Sequence, residues 1–305
     1  MKHLLLFRPI RSRVCLKLIL CLMLNFLAQP LGAQTEIIDD RGQKIVLAQP
    51  ATNIIALYAA FNEILADLDL EDCLLARTAA DTGPPSLMAK PSIGTHLRPN
   101  AERIVALQPD LVIQLQGRND ALDMVQFLEQ RGLTVAVFSL ENFSGLFSVM
   151  KRLGQLTGKA DLASTQIAKI KSELEYFQTH QPEPRPTIFF EVRASTLLSA
   201  GQKSMVTEII TLAGGINVVQ TNKKLIPLGE EEVLRLNPDI YLMQRGPMNP
   251  NPLPLDERPV LRSLSCVPTG QFFMVDQDLF SRPGPRSIVA VRQLHEIITH
   301  WSTEK

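Results

Sequence analysis

Apolar residues recur at helical spacing through the middle of the chain, from Phe143 to His180. Leu146, Val149, Met150 and Leu153 share a face that Ile167, Ile170, Leu174 and Phe177 continue, while Lys159, Lys169, Lys171 and Glu173 stay outside it. The spacing predicts one long helix, with Gly154 and Gly158 as its weak points. On either side the period shortens to that of strands. Glu36 to Leu47 alternates around an Asp-Arg-Gly turn and reads as a hairpin. A buried strand over 53–57 then runs into a helix over 59–68 whose Phe61, Ile64, Leu65 and Leu68 share a face, the βα step of a parallel sheet. A strand over 111–115, a helix over 121–131 stopped by Gly132 and a strand over 133–139 complete the first half. The second half repeats the scheme: strands over 187–192, 240–243 and 272–275, a helix over 204–213 closed by Gly214 and Gly215, and a final helix over 287–301.

A short self-similar block stands on each side of the central helix. ERIVALQPDLVI, from Glu102 to Ile113, and EEVLRLNPDIYL, from Glu231 to Leu242, share Glu, Leu, Pro and Asp in register. Each reads as a helix end, a Pro-Asp turn that stops the helix, and a buried strand. The expected architecture is therefore α/β, with two Rossmann-like lobes over 34–142 and 181–305 joined by one helix over 143–180.

The first 33 residues stand apart. Lys2, Arg8, Arg11, Arg13 and Lys17 precede an apolar run from Leu18 to Ala28 and a small-residue stretch ending at Ala33, the layout of a cleaved export signal. The run is shorter than the ~20 residues a membrane span needs. No cysteine follows it, so no lipid attachment point is expected. Removing this leader leaves 26 basic against 31 acidic residues, a net charge of minus five, which argues against a nucleic-acid partner. Cys73 and Cys266 remain, one in each half; two unpaired thiols are favoured over a bond across the lobes.

In open α/β sheets ligands sit beyond the carboxyl ends of the strands, where this chain places Tyr58, Gln116 and Arg118. The connector over 78–100 is long for its position and carries His96 and Arg98. Arg193, Arg245 and Arg282 fall at strand exits of the second half, and a cleft holding two or three of these arginines suits a carboxylate-bearing or catecholate ligand. Motifs for catalysis are missing: there is no His-Glu-x-x-His, no Gly-x-Ser-x-Gly and no cysteine-histidine metal spacing. Gly214 and Gly215 end a helix rather than open one, against a phosphate loop. Binding without chemistry, with no cofactor and no resident metal, is the expectation.

The blocks AERIVALQPDLVI from Ala101, LAGGIN from Leu212 and EEVLRLNPD from Glu231, followed by RPGPR from Arg282, resemble the periplasmic binding proteins that deliver iron chelates, haem or vitamin B12 to ATP-driven importers. The resemblance covers essentially the whole chain after the leader. It implies a monomeric periplasmic protein with two lobes on a rigid helical backbone, a metal chelate or tetrapyrrole in the cleft between them, and small closure movements. It also implies docking to the ABC importer permease through one glutamate on each lobe, here Glu102 and Glu231, with Glu232 as a neighbouring substitute. Haem-binding members often carry tyrosine after the glycine that matches Gly94, where this chain has Thr95 and then His96. Corrinoid-binding members use tryptophans at the cleft mouth, where this chain has Leu115, Leu225 and Leu279. Two rivals stand beside this reading: a direct transition-metal binder of related architecture, and an exported α/β hydrolase with an unrecognised site.

Overall fold

The structure, a computed structural model, describes residues 34–117 and 119–304. The leader expected over 1–33 and the candidate Arg118 lie outside the described residues.

The chain enters through an antiparallel hairpin of β1 (Thr35–Ile38) and β2 (Lys44–Leu47). β3 (Ile54–Ala56) follows, and a two-residue pair, β4 (Gly94–Thr95) and β5 (Arg98–Pro99), folds the long connector back on itself. β6 (Leu111–Leu115) and β7 (Val135–Phe138) join β3 in a parallel sheet of order β3-β6-β7. All of β3 and β7 and most of β6 are buried, which is why these strands read as unbroken apolar runs: helices cover both faces of the sheet. The Ala59–Asp67 helix lies on one face and the Asn119–Glu129 helix on the other.

The second sheet contains β8 (Thr187–Arg193), β9 (Leu198–Ala200), β10 (Ile216–Asn217), β11 (Leu225–Pro227), β12 (Ile240–Arg245) and β13 (Phe272–Asp276). Its order is β11-β9-β8-β12-β13, with β10 also paired to β8. The parallel trio β8-β12-β13 repeats β3-β6-β7, and the two Pro-Asp blocks fall in different sheets at equivalent places. β9, β10 and β11 have no counterpart among the described residues of the first lobe and leave no sequence signal, because two- and three-residue strands are too short to show a period.

The stretch expected as one helix over 143–180 is two helices, and the single rigid spine is corrected accordingly. Phe143–Thr157 ends at Gly158, whose φ of +72° is the left-handed conformation that stops a helix, and Ala160–Thr179 then runs back beside it. Phe147 near the start of the first helix lies under the Lys171 ammonium, 5.2 Å away, so the pair is an antiparallel hairpin. Gly154 allows the close approach: a Cβ there would stand 2.7 Å from that of Ala163. The continuous apolar stripe is real, but it is folded at its middle. Arg152 of the first arm pairs with Asp40 of the β1–β2 turn, while Glu173 of the second arm accepts from Arg292 Nε at 2.8 Å on the closing Ser287–Thr303 helix. Each arm also reaches the opposite lobe: Phe143 N–H donates to Glu208 Oε2 at 2.8 Å and Gln166 Nε2 donates to Asp67 O at 3.5 Å.

The lobes and the hairpin are joined by shared packing. One apolar cluster runs from Ile54 and Phe61 through Leu146, Leu153 and Leu174 to Ile188, Ile209 and Trp301, so the inner faces of both sheets and the hairpin share a core. Two smaller clusters fill the outer face of each lobe, around Val112 and Leu128 in the first and Phe189 and Tyr241 in the second. Cys73 and Cys266 are both free thiols, and burial pushes the Cys266 thiol up to about 11.

Candidate functional site

Each lobe has a concavity at the carboxyl ends of its parallel strands. In the first lobe a cavity of about 570 Å³ is lined by His96, Leu97, Arg98, Leu115, Gly117 and Met124, among others. The β4–β5 turn forms its lip and leaves the Leu97 side chain 72 % exposed. Arg98 is exposed, and His96 is half-buried with its ring edge-on to Tyr58, centroids 5.6 Å apart. Burial pushes His96 below the ordinary histidine range, which keeps the imidazole neutral and able to ligate at neutral pH. Gln116 is exposed between the lining residues Leu115 and Gly117, its backbone N–H donating to Phe138 O at 2.7 Å.

In the second lobe a cavity, also of about 570 Å³, is lined by Arg193, Leu197, Met248, Leu253, Arg258 and Pro259, among others. Arg193 is half-buried and its Nε donates to Thr196 Oγ1 at 2.9 Å. Arg245 is exposed at the carboxyl end of β12, one residue before the turn that carries Met248. Among the described residues, Arg98, Arg193 and Arg245 make no ion pair, so their charges are open to a ligand.

Arg282 is placed differently. Its side chain is 10 % exposed, its Nη1 donates to Glu63 Oε1 at 2.9 Å, and its Nη2 lies 2.8 Å from Asp278 Oδ1 and donates to Ala80 O at 3.2 Å. Arg286 Nη2 reaches the same Glu63 oxygen at 3.0 Å. These arginines belong to the second lobe and Glu63 and Ala80 to the first, so Arg282 is an interlobe strut rather than an open donor. Tyr58, edge-on to His96 of the first cavity, lies within the electrostatic reach of Arg282 and Glu63. Burial raises its phenol above the ordinary tyrosine range, with Arg282 acting in the opposite sense. Of the leucines noted at the cleft mouth, Leu115 lines the first cavity, Leu225 opens β11, and Leu279 packs on the core from the Gln277–Phe280 helix.

Glu102 and Glu231 occupy the second position of the matching helices Ala101–Ala106 and Glu230–Leu236, and both are exposed. The guanidinium of Arg131 stands 3.8 Å from Glu102, whereas Glu232 is bound to Arg235 at 2.6 Å. That hydrogen bond holds Glu232 below the usual carboxylate range and leaves Glu231 as the available acid.

Asn249 and Arg258, which line the second cavity, and Glu191, buried behind them, were missed in the sequence. A carboxylate inside the apolar run from Thr187 to Val192 was the available signal, since a charge in a buried strand demands a partner. Among the described residues no group of three or more His, Cys, Asp or Glu is arranged to hold a metal ion.

Comparison with known proteins converges on one group. The chain is 24 % identical over 267 residues to an uncharacterized ABC transporter substrate-binding lipoprotein, YvrC, of Bacillus subtilis, covering 85 % of this chain and 84 % of that one. It is 23 % identical over 256 residues to the vitamin B12-binding protein of Vibrio campbellii, covering 83 % and 90 %. Its fold matches the apo form of the periplasmic heme-binding protein RhuT from Roseiflexus sp. RS-1 with a TM-score of 0.71 at 21 % identity, covering 82 % of this chain and 99 % of that one. With the periplasmic binding protein model matching residues 54–279, across both lobes and the hairpin between them, the chain belongs to the periplasmic binding protein family.

Proposed function

We propose that this protein is exported, holds a metal chelate, haem or a corrinoid between its two lobes, and delivers it to the permease of an ATP-driven importer. The observation that carries the reading is the pair of cavities, about 570 Å³ each, at the carboxyl ends of the two parallel sheets. Each combines an exposed apolar side chain, Leu97 in one and Leu253 in the other, with an arginine, Arg98 or Arg193, that makes no ion pair among the described residues; the Glu230 carboxylate also lines the second. A ligand with a broad apolar face and anionic substituents fits both walls at once. On this reading 34–142 and 181–305 are the two jaws, and Tyr58, His96, Arg98, Gln116, Arg193 and Arg245 face the ligand. Arg282 sets the distance between the jaws.

Such a ligand arrives with its metal already coordinated, and the protein supplies shape and charge without turnover. The test is titration of the purified chain with haemin, cyanocobalamin, a ferric catecholate and a ferric hydroxamate, followed by difference absorbance and Trp301 fluorescence. Saturable one-to-one binding of one probe, recovered unchanged, is expected. Binding of bare divalent metal in preference to every chelate would favour the direct metal binder; conversion of a probe would favour the hydrolase.

A further inference from the structure

Glu191 is fully buried in the middle of β8, where a carboxylate is tolerated only if every lone pair is met. Here they are met. Oε1 accepts from Arg258 Nη2 at 2.9 Å and from Asn249 Nδ2 at 3.2 Å; Oε2 accepts from the Tyr241 hydroxyl at 2.8 Å and from Arg258 Nη1. Arg258, itself 7 % exposed, sends its Nε to Leu253 O at 3.0 Å. Asn249 donates a second bond to Gln244 O at 3.0 Å, and its Oδ1 accepts from Ala194 N–H at 3.2 Å.

These bonds converge on one piece of chain. Residues 246–259 connect β12 to the rest of the second lobe and contain five prolines, Pro247, Pro250, Pro252, Pro254 and Pro259, which supply no backbone donors for a sheet or helix to use. The connection has one short 3₁₀ turn, Leu255–Glu257, and forms the wall of the second cavity. Glu191 holds it near both ends, at Asn249 and Arg258. Through Ala194, Asn249 also holds the turn that follows Arg193.

We propose that Glu191, Arg258 and Asn249 are positioning residues that fix the second wall of the cleft in its ligand-ready shape and hold Arg193 against it. The proposal rests on the reading of the cleft as the ligand site. A buried ion pair contributes little to net stability compared with apolar groups of the same volume, so its effect falls on conformation. A wall held in shape before the ligand arrives spares the ordering of 246–259 on binding.

Two variants of the full chain test this: Glu191→Leu combined with Arg258→Met, which removes both charges and refills the space, and Asn249→Ala, which cuts the ties at the first end of the connection and leaves the ion pair at the other. Hydrogen exchange of the ligand-free protein is expected to show amides of 246–259 exchanging about tenfold faster, with β8 and β12 unchanged. Affinity for whichever of haemin, cyanocobalamin or the ferric chelates the unmodified protein binds is expected to fall about tenfold, at an unfolding midpoint close to that of the parent. Unchanged exchange at 246–259, or faster exchange with unchanged affinity, overturns the proposal. Should the double variant not fold, Asn249→Ala decides. Should the unmodified protein bind no probe, the functional reading fails, and the exchange result still decides whether these residues hold the wall.

Discussion

Asp110 and Asp239 perform the same task in the two lobes. Asp110 Oδ2 accepts from Thr52 N–H at 3.0 Å and Asn53 N–H at 2.9 Å, tying the start of β6 to the approach to β3. Asp239 Oδ2 accepts from Thr187 N–H at 2.9 Å and from its hydroxyl at 2.7 Å, tying the start of β12 to β8. The repeated Pro-Asp is thus a clamp across the amino ends of neighbouring parallel strands, whose N–H groups have no ladder partner there. Asp110→Ala and Asp239→Ala are each expected to destabilise the protein by about 1.5–3 kcal/mol, the range for hydrogen bonds to a charged group. Urea unfolding checks this; a loss at only one position would show that the two clamps are not equivalent.

Glu63 is the first-lobe anchor for two second-lobe arginines, Arg282 and Arg286. Glu63→Gln removes its charge, but Arg282 keeps Asp278 and the Ala80 carbonyl, so the protein still folds. The expected loss is about 2 kcal/mol, less than for a fully buried pair broken on one side. Distances between spin labels on the two lobes are expected to broaden, because these pairs hold the jaws at a set separation. An unchanged distribution would assign the rigidity to the shared apolar core alone.

Much of this was legible along the chain. The apolar runs at 54–56 and 111–115 gave the first parallel sheet, and the repeated Pro-Asp block gave the second lobe, since burial on both faces leaves a pattern that short polar turns cannot hide. What periodicity does not encode is where a helix folds back. The stripe through Leu146, Leu153, Ile170 and Leu174 has the same spacing whether its two arms are collinear or antiparallel, and only Gly158 distinguishes the cases. Arg282 and Arg193 were likewise equivalent as arginines at strand exits. Their difference lies in Glu63, more than two hundred positions from Arg282 in sequence, whose carboxylate neutralises one and not the other.

The fold-back supplies its own test. Gly154→Val is expected to destabilise the protein by about 1–3 kcal/mol, since even a Cβ would stand 2.7 Å from that of Ala163 and the arms must separate to admit it. Gly158→Ala is expected to cost about 1 kcal/mol or more, through its positive φ and because a Cβ there would stand 3.3 Å from Pro50 Cγ. In a continuous helix both changes would instead stabilise, as valine and alanine both favour helix over glycine. Thermal unfolding of the two variants gives the sign directly.

Asp40 gives a dependence on pH. Burial opposes its ionisation, but Arg152, which donates to Oδ1 at 2.7 Å and Oδ2 at 3.0 Å, and Ser139 N–H at 2.6 Å outweigh burial and hold the carboxyl below the usual aspartate range. A depressed value in the folded state contributes stability above the unfolded-state value, and that contribution is lost as pH falls through the folded one. Asp40→Asn is expected to lower stability near neutral pH by roughly 1 kcal/mol and to flatten its fall in acid. Denaturant midpoints measured across the acid range for both proteins check the slope; parallel curves would mean that Asp40 does not set it.

Glu102 and Glu231 lie at the second position of matching helices, each beside the strand start that Asp110 or Asp239 clamps. The clamps give the two carboxylates a fixed place in their lobes, and the interlobe struts fix the lobes against each other. Two exposed charges at a set separation suit orientation of a docking partner with complementary cations. They also favour their own helix N-termini, at roughly 0.3–1 kcal/mol each, so loss of charge by itself does not separate the two roles. Charge reversal does. Glu102→Arg with Glu231→Arg is expected to leave chelate affinity within a factor of about two, because neither residue lines either of the two strand-end cavities, and to abolish uptake in cells that depend on this protein. Reversal of Glu232, already neutralised by Arg235, is expected to have the smaller effect on uptake. Equal loss of affinity and uptake in the double variant would place these residues in the ligand site instead of the docking face.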